Sequence, residues 1–450
     1  MIKKILIANR GEIAVRIIRT CKELGIKTVA IYSTADKSSL HVELADEAYC
    51  VGGPRPEDSY LNIPAILSAA EISNVDAIHP GYGFLAENPS FAEIVEACGY
   101  IFIGPSYKAI ELMGNKINAR KLAKELGIPV VPGFEHIKTL EEARKVANEI
   151  GYPILIKAAC GGGGRGIKIV YEEKDLENTL NIAMKEAKNA FGSEEIFIEK
   201  YIEEPKHIEV QILGDLHGKI IALGERECSL QRRHQKLLEE APSPFVNENL
   251  REKLYKYAKK IASHINYHTL GTVEFIVDKN KNPYFIEMNT RVQVEHPVTE
   301  MVIDEDLIAW QILTAMGEKI TIEDKIPYGH AIEFRINAED PFKNFMPAIG
   351  KIEKLVLPGG YNTRVDTHIY QGYEIPPYYD SMLAKIIVKG KNRKEALKRG
   401  FRALNELKIE GKNIKTTKEL FLKLYNFKEF LNGNYHTKFL EKNLEKILLN

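Results

Sequence analysis

Cysteine is scarce in this chain of 450 residues, which has only five. The number is odd, and no two cysteines have the C-x-x-C spacing of a zinc site or a redox pair. This excludes the dense disulfide framework of small secreted domains and is typical of a reducing compartment. The five are Cys21, Cys50, Cys98, Cys160 and Cys228.

An excess of one charge is also absent, because 62 basic residues are balanced by 62 acidic residues. Such a balance gives no indication of a nucleic-acid or membrane surface. The segment Gln231–Lys236 is basic, but Glu239 and Glu240 follow it, so we interpret it as a phosphate-facing loop. Long apolar runs are missing too, since Ile5–Ala8 is too short for a signal peptide or a membrane helix. We therefore expect a soluble cytoplasmic protein without a nucleic-acid or membrane partner.

The most informative segment that is present runs from Glu287 to Pro297 and reads EMNTRVQVEHP. If it is extended, alternate side chains share one face, because successive residues of a strand point to opposite sides. One face then carries acid, amide, cation, amide and acid in order. A solvated strand face favours threonine and lysine over such a series, so we interpret these residues as functional. They are Glu287, Asn289, Arg291, Gln293 and Glu295.

A second carboxylate lies on the segment before this run. Gly271–Asp278 and Pro283–Glu287 are two predicted strands separated by a turn. Glu274 and Glu287 are equally far from the turn centre, so a regular hairpin places them opposite each other. With the Asn289 oxygen they form an all-oxygen set that suits Mg²⁺ or Mn²⁺. Since Mg²⁺ held by few protein oxygens usually also binds substrate phosphates, the set predicts a nucleotide.

A glycine-rich loop upstream predicts where the phosphates bind. The short strand Ile154–Lys157 is followed by the four glycines Gly161–Gly164. Arg165 and a second strand, Ile167–Val170, come next. Glycines allow backbone N–H groups to approach a phosphate closely. The loop matches GxGxxG, but a dinucleotide-binding dehydrogenase requires a helix after the loop, and a Walker loop requires GK[ST]. We therefore expect a lid on an antiparallel hairpin.

These segments, with several others, resemble the biotin carboxylases of the ATP-grasp superfamily. The resemblance runs in family order from residue 2 to about residue 440. The departures from the family pattern are small. Cys160 lies where the family often has serine or glycine, and the segment 341–345 is about one residue longer than in the family. The matching strings are IANRGEI (7–13), HPGYGFL (79–85), MGNK (113–116), the glycine loop, QRRHQK (231–236), the run 287–297 and EFRINAED (333–340).

Changes of pattern divide the chain into three predicted regions. Residues 1–112 alternate strands and helices like a doubly wound α/β domain. Residues 113–315 switch to antiparallel strands and, by the resemblance, form an ATP-grasp domain with a lid at about 130–203. Residues 330–440 begin with the strand His330–Asn337 and, by the resemblance, form a β-rich C-terminal domain. The expected fold class is therefore α/β with α+β elements, in an ATP-grasp fold.

The resemblance implies a role for individual residues. Metal ligands for two Mg²⁺ or Mn²⁺ ions are implied at Glu274, Glu287 and Asn289. ATP contacts are implied at Lys116, Lys157, Gly163, Gly164, Arg165, Glu199, Lys200, Tyr201, Ile202, His207, Gln231, His234, Glu274 and Glu287. Bicarbonate contacts are implied at Lys236, Arg291, Gln293 and Val294. The implied catalytic residues are Arg291, Lys236, Glu295 as general base and Arg335, which also contacts biotin.

The residues alone leave another interpretation of Arg335 open, a strand-face arginine in a salt bridge with Glu333 or Glu339.

The resemblance implies ATP-dependent carboxylation of biotin by bicarbonate through carboxyphosphate. Biotin is expected on a separate carrier protein, because Met184 and Lys185 match a biotin attachment site only faintly and lack a β-barrel repeat around them. Carboxyltransferase subunits are further expected partners. The chain best fits the biotin carboxylase component of an acetyl-CoA carboxylase, with a pyruvate or propionyl-CoA carboxylase as the alternative.

A symmetric homodimer is also implied, with contacts from Arg19, Glu23, Tyr361 and Arg364. Arg19 and Glu23 are four residues apart, so the alternative is that they pair with each other on one helix face.

Two other functions are alternatives to biotin carboxylation. Another ATP-grasp ligase would share the lid and the metal hairpin but not the bicarbonate arrangement of 291–295. A binding module without catalysis gives no reason for paired metal carboxylates beside a phosphate lid.

Overall fold

The computed structural model describes residues 2–158, 168–191 and 196–449. The N-terminal elements are β1 (Lys4–Ile7), α1 (Gly11–Glu23), β2 (Lys27–Ser33), α2 (Leu40–Leu44), β3 (Glu47–Gly52), α3 (Ile63–Ser73), β4 (Ala77–His79), α4 (Pro89–Ala97), β5 (Ile101–Phe102) and α5 (Tyr107–Gly114). The strands form a parallel sheet in the order β3-β2-β1-β4-β5. Ile5 and Leu6 of β1 belong to separate apolar cores, so both faces of the sheet are covered. The predicted doubly wound opening is confirmed.

Helix α1 forms because apolar residues recur along one stripe. Ile13, Ile17 and Cys21 are four residues apart and pack in one core with β1. Leu24, which continues nearly the same spacing, lies just beyond the helix and is exposed. The helix begins directly after Asn9 and Arg10, so the residues of its first turn lie near the cleft described below.

A small antiparallel sheet follows. Its elements are α6 (Lys116–Glu125), β6 (Gly133–Ile137), α7 (Leu140–Ile150), β7 (Ile154–Ala158), β8 (Lys168–Val170), α8 (Leu176–Phe191) and β9 (Ile196–Lys200), with the strand order β6-β9-β7-β8. Ile154 pairs with Val170, which confirms the predicted hairpin. The loop between β7 and β8, with Gly163, Gly164 and Arg165, lies outside the described residues.

The remaining chain builds one long sheet and its helices. The elements before the C-terminal part are β10 (Lys206–Gly214), β11 (Ile220–Arg232), β12 (Gln235–Ala241), α9 (Glu248–His264), β13 (Thr269–Val277), β14 (Pro283–Asn289), α10 (His296–Ile303) and α11 (Leu307–Ala315). The C-terminal elements are β15 (His330–Asn337), β16 (Glu339–Asp340), β17 (Met346–Pro347), β18 (Gly350–Lys351), β19 (Lys354–Val356), β20 (Thr363–Thr367), β21 (Glu374–Ile375), β22 (Met382–Gly390), α12 (Arg393–Glu406), β23 (Lys408–Glu410), α13 (Lys418–Leu424), α14 (Lys428–Leu431) and α15 (Phe439–Leu449).

The long sheet has the strand order β14-β13-β10-β11-β12-β15-β22-β20. It takes strands from both the second and the third predicted regions, which are joined edge to edge where β12 pairs with β15. The C-terminal tail forms three helices, and Gly433 with a φ of +75° lies between the second and the third. None of the helices in the described ranges is long and apolar enough to cross a membrane.

The two faces of this sheet differ at β15 and β22. On one face Phe334 and Ile386 pack with α12 in an apolar core. On the other face Glu333, Arg335 and Lys385 lie beneath α10, which packs across β11, β12, β15 and β22. A buried sheet face made of charged residues requires paired partners, and this requirement positions the site.

Candidate active site

Two acidic residues face each other across the hairpin of β13 and β14, as predicted. Glu274 is the cross-strand partner of Glu287. The hairpin is not regular, because Phe275 pairs with Phe285 and leaves Ile286 as the extra residue of a β-bulge. Both carboxylates line a cleft of about 1750 Å³ between the sheets.

The run after Glu287 is not a single strand, and that part of the prediction is wrong. β14 ends at Asn289, residues 290–295 form a loop, and α10 begins at His296. A proline in the first turn of α10 favours this start, because its fixed φ suits a helix and its missing N–H is not needed there. The loop, and not strand alternation, places three more polar side chains in the cleft, namely Arg291, Gln293 and Glu295.

Arg291 is anchored on three sides by hydrogen bonds. Its Nε donates to Glu87 at 2.9 Å, and its Nη1 donates to Gln293 Oε1 at 2.8 Å. Its Nη2 donates to Asn289 Oδ1 at 3.1 Å. Glu87 also accepts the Thr290 backbone N–H at 3.0 Å. The guanidinium is therefore oriented at the cleft wall, and its planar fork suits an anion with two oxygens.

Lys236 on β12 is surrounded by three buried carboxylates. Its Nζ lies 2.6 Å from Glu209, 2.7 Å from Glu295 and 2.9 Å from Glu274. Burial lowers the pKa of Lys236, but the three carboxylates outweigh burial and raise that pKa well above its usual value. Lys236 therefore carries its charge at neutral pH and compensates acids that are costly to bury alone.

Glu295 is held between two cations. Its Oε1 accepts from Lys236 and its Oε2 accepts from Arg335 Nη2 at 2.9 Å. Burial raises the pKa of Glu295, but Lys236 and Arg335 outweigh burial, so the pKa lies well below its usual value. Glu295 is ionised at neutral pH and has the form of a general base. Its contact with Lys236 must weaken before it can accept a proton.

Arg335 forms ion pairs with Glu239 and Glu295. The alternative interpretation, a salt bridge to Glu333 or Glu339, is therefore wrong. Glu333 is fully buried, and neither of its carboxylate oxygens has a hydrogen-bond partner. Burial raises the pKa of Glu333 well above its usual value, which favours the protonated form of this acid.

The oxygens that the sequence assigns to a metal ion already contact nitrogen atoms of basic side chains. Glu274 contacts Lys236 and, at 2.9 Å, His207 Nε2, while Glu287 lies 3.1 Å from Lys116 Nζ. The site therefore favours positive charge, and its oxygen donors fit Mg²⁺ or Mn²⁺. Asn289 donates its Nδ2 to Glu274, so its amide would have to turn to offer the oxygen as a ligand.

The residues assigned to ATP lie around the mouth of the same cleft. Lys157 pairs with Glu199 at 2.9 Å, and the Tyr201 hydroxyl accepts from Lys438 Nζ at 2.7 Å. Lys200 is turned away, because its Nζ donates to two backbone carbonyls at 2.9 Å. Within the described residues, every predicted site residue lines this cleft: Lys116, Lys157, Glu199, Lys200, Tyr201, Ile202, His207, Gln231, His234, Lys236, Glu274, Glu287, Asn289, Arg291, Gln293, Val294, Glu295 and Arg335.

The sequence analysis missed several charged residues that hold the site together. Glu209 on β10 pairs in register with Arg226 on β11, and the two form a fully buried ion pair. Opposite charges on adjacent predicted strands were the available signal for this pair. Glu87 and Glu239 lie far in sequence from Arg291 and Arg335, and no local pattern connects them.

This fold and site define an ATP-grasp enzyme. Three family models match the chain: biotin carboxylase, N-terminal domain, over residues 1–110; carbamoyl-phosphate synthase L chain, ATP binding domain, over residues 115–323; and biotin carboxylase C-terminal domain over residues 333–442. Biotin carboxylase 1 of Bacillus subtilis is 55% identical over 445 residues, which are 98% of each chain. The chain belongs to the biotin carboxylase family of ATP-dependent ligases.

Other relatives act in different carboxylases. A pyruvate carboxylase subunit of Methanothermobacter thermautotrophicus is 50% identical over 445 residues, which are 98% of this chain and 90% of that one. The biotin carboxylase domain dimer of 2-oxoglutarate carboxylase from Hydrogenobacter thermophilus was solved with MgADP, ADP and bicarbonate. It is 49% identical, covers 99% of both chains and has a TM-score of 0.90.

Replacing Lys236 with Met should destabilise the protein in a pH-dependent way. Three buried carboxylates lose the cation that they share, and breaking a buried pair costs about 3–5 kcal/mol. Without the cation the folded-state pKa of these acids rises above the unfolded value, so stability is lost as pH rises through the folded pKa. We expect the fall in Tm, measured by calorimetry, to be larger at about pH 8 than at about pH 6.

The matched control for this prediction is Lys442→Met. Lys442 is exposed and pairs with Glu204 at 2.7 Å, so its loss should leave the Tm almost unchanged. A Lys236→Met deficit of the same size at both pH values would show that lost packing, and not charge, causes it.

Proposed function

We propose that this chain carboxylates biotin with ATP and bicarbonate through carboxyphosphate. One observation carries the proposal: Arg291, Lys236 and Glu295 lie in the same cleft as the paired carboxylates Glu274 and Glu287. Attack of bicarbonate on a phosphoryl group needs a bidentate cation, a base and charge compensation for the phosphates in one place. The described residues supply each of these.

ATP binds at the side of the cleft near the lid hairpin. Lys116 and Lys157 supply point charges to the phosphates. Glu274, Glu287 and Asn289 would hold Mg²⁺, which, when bound, neutralises charge on the transferred phosphoryl group. The further nucleotide contacts in this proposal are Gly163, Gly164, Arg165, Glu199, Lys200, Tyr201, Ile202, His207, Gln231 and His234.

Bicarbonate is held by Arg291 with Gln293 and the Val294 backbone. Glu295 takes the bicarbonate proton while a bicarbonate oxygen attacks the γ-phosphorus. The bond between the γ-phosphorus and the β–γ bridging oxygen breaks, and ADP leaves. Lys236 lies beside Glu295 and contacts the carboxyphosphate that forms. A cation drawn from Glu295 to the new anion would also restore the basicity of Glu295.

Carboxylation of biotin completes the reaction. The C–O bond of carboxyphosphate breaks to give CO₂ and phosphate, and the phosphate takes the proton of the biotin ureido nitrogen. That nitrogen attacks CO₂ to give carboxybiotin. Negative charge develops on the ureido oxygen, and Arg335 is the nearby cation that stabilises it. Arg335 reaches this region because its Nη2 is fixed by Glu295 at 2.9 Å.

The carboxyl group then passes to an acyl acceptor. We place the chain in an acetyl-CoA carboxylase, with a biotin carboxyl carrier protein and carboxyltransferase subunits as partners and malonyl-CoA for fatty acid synthesis as the product. The 55% identity to Biotin carboxylase 1 of B. subtilis supports the biotin carboxylase component of this placement. The pyruvate carboxylase relative supports pyruvate as the alternative acceptor.

The proposed reaction predicts how ATP hydrolysis responds to substrates. ADP release by the purified chain with Mg²⁺ should rise with bicarbonate and rise further with free biotin. Coupled spectrophotometric assays in buffer freed of CO₂ measure both effects. ADP release that is indifferent to bicarbonate and to biotin would overturn the proposed function.

Glu295→Gln should retain the shape of the site and lose the base. General-base loss typically lowers the rate about 10²- to 10⁴-fold, and ATP binding should change little because Glu295 is not among the proposed nucleotide contacts. Glu333→Gln is the matched control, since Glu333 is an equally buried acid that has no hydrogen-bond partner and a pKa raised by burial. Steady-state bicarbonate-dependent ATP hydrolysis and nucleotide titration test both variants. Wild-type turnover in Glu295→Gln would exclude the base role.

We also propose that the chain forms a symmetric dimer. Arg19 and Glu23 are exposed on α1, and Tyr361 is 78% exposed. Arg364 forms ion pairs at 2.7 Å with Asp366 and Glu300 of its own chain. A two-fold contact uses each such patch twice.

Light scattering tests this proposal. The wild-type mass should be close to twice the chain mass, and Arg19→Glu should reduce it because the substitution reverses a charge within the proposed contact patch. Arg144→Glu on α7, where the side chain is 51% exposed, serves as the control and should leave the mass unchanged. A wild-type monomer at micromolar concentration would refute the dimer.

A further inference from the structure

Lys385 on β22 is a fully buried lysine whose amine faces the loop that holds Arg291 and Glu295. Its Nζ donates to the Val294 carbonyl at 2.9 Å. The same Nζ lies 3.0 Å from Glu12 Oε1 and 4.0 Å from Asp366 Oδ2. Burying an ammonium group is costly, and apolar residues of similar volume often stabilise a core as well or better. Stability alone therefore does not explain why a lysine is buried at this position.

The sheet register dictates where the amine points. Lys385 lies opposite Arg335 of β15 and opposite Asp366 of β20. Residues directly opposite each other in antiparallel strands share a face, so all three point towards α10 and the loop before it. The neighbouring residues Phe334 and Ile386 point to the other side, into the apolar core. The position of Lys385 under the loop is thus fixed by the sheet itself.

The charge of Lys385 is preserved in this setting. Burial lowers its pKa, but the carboxylates of Glu12, Glu333 and Asp366 together outweigh burial and hold the pKa above its usual value. The amine is an ammonium group at neutral pH and donates to the Val294 carbonyl as a charged donor. Hydrogen bonds from charged donors are roughly twice as strong as neutral ones.

We infer that Lys385 is a positioning residue for bicarbonate, because it fixes the peptide unit between Val294 and Glu295. This inference rests on the proposed function, in which the Val294 backbone holds bicarbonate and Glu295 is the base. One peptide plane joins the two residues, so a fixed carbonyl orients the backbone on which both depend. A misplacement of about 1 Å is enough to cost a factor of about 10² in rate.

The two acids that form ion pairs with Lys385 are themselves anchored. Glu12 lies in the first turn of α1 and accepts from the hydroxyl of Tyr82, which lines the cleft. Asp366 accepts two hydrogen bonds from Arg364, each at 2.7 Å. Arg364 continues to Glu300 in α10 at 2.7 Å. Lys385 therefore ties the bicarbonate loop to elements of the N-terminal part, the C-terminal sheet and α10 at once.

The test compares two buried lysines in steady-state kinetics of bicarbonate-dependent ATP hydrolysis. Lys385→Met removes the donor under the loop. Lys206→Met is the matched control, because Lys206 is also buried and donates to backbone carbonyls, those of Gly433 and Tyr435, away from the loop. Lys385→Met should raise the KM for bicarbonate about 10- to 100-fold and change the KM for ATP less than about twofold. Lys206→Met should leave both KM values near those of the wild type.

Two further variants keep the inference falsifiable. Lys385→Arg retains a charged donor and should recover part of the bicarbonate affinity. If Lys385→Met gives no thermal unfolding transition, Glu12→Gln is the variant that tests the inference. This substitution weakens the ion pair to the Lys385 amine without opening a cavity. A raised KM for bicarbonate in Glu12→Gln supports the inference. An unchanged bicarbonate KM in a folded Lys385→Met or Glu12→Gln, or equal rises for bicarbonate and ATP, overturns it. Wild-type hydrolysis that ignores bicarbonate would instead overturn the proposed function.

Discussion

The contact of Lys236 with three buried carboxylates is the interaction on which the site depends. Glu209, Glu274 and Glu295 come from two strands and the start of α10, and one amine reaches all three at 2.6–2.9 Å. Without that cation the carboxylates would repel one another on a face where water is largely excluded. The cluster therefore holds the β10 and β13 strands and α10 in one arrangement. It also leaves the site satisfied by its own charges before any substrate binds.

This arrangement has a chemical consequence. In the proposed reaction, anionic substrates would not enter an empty positive pocket but would replace carboxylates that already hold the cations. Bicarbonate and the phosphates would compete with Glu295 and Glu274 for Lys236, and each exchange would remove a cation from an acid whose pKa it had lowered. Glu295 would then become more basic at the moment when a proton has to be taken from bicarbonate. The rigid sheet beneath the cluster keeps the exchanging groups within hydrogen-bond distance.

Much of the fold and the site could be predicted from the sequence, because strong local patterns indicated them. The period-four apolar stripe of α1, the Glu274–Glu287 hairpin and the lid hairpin are all present in the structure. The prediction of an extended segment over 287–297 failed, because the alternation of Glu287, Asn289 and Arg291 has the period of a strand, while the proline after His296 starts a helix. Glu87, Glu239 and Lys385 could not be found, since their contacts join segments far apart in sequence, and no periodicity reports such contacts.

The central claim is that a bicarbonate oxygen attacks the γ-phosphorus of ATP in this cleft. The most direct test uses bicarbonate labelled with ¹⁸O and measures the label in the released phosphate by mass spectrometry. Because the attacking oxygen stays on phosphorus when carboxyphosphate breaks, one ¹⁸O should appear in each phosphate formed. Phosphate without label, with its new oxygen taken from water, would contradict the account, since ATP would then be hydrolysed without carboxyphosphate.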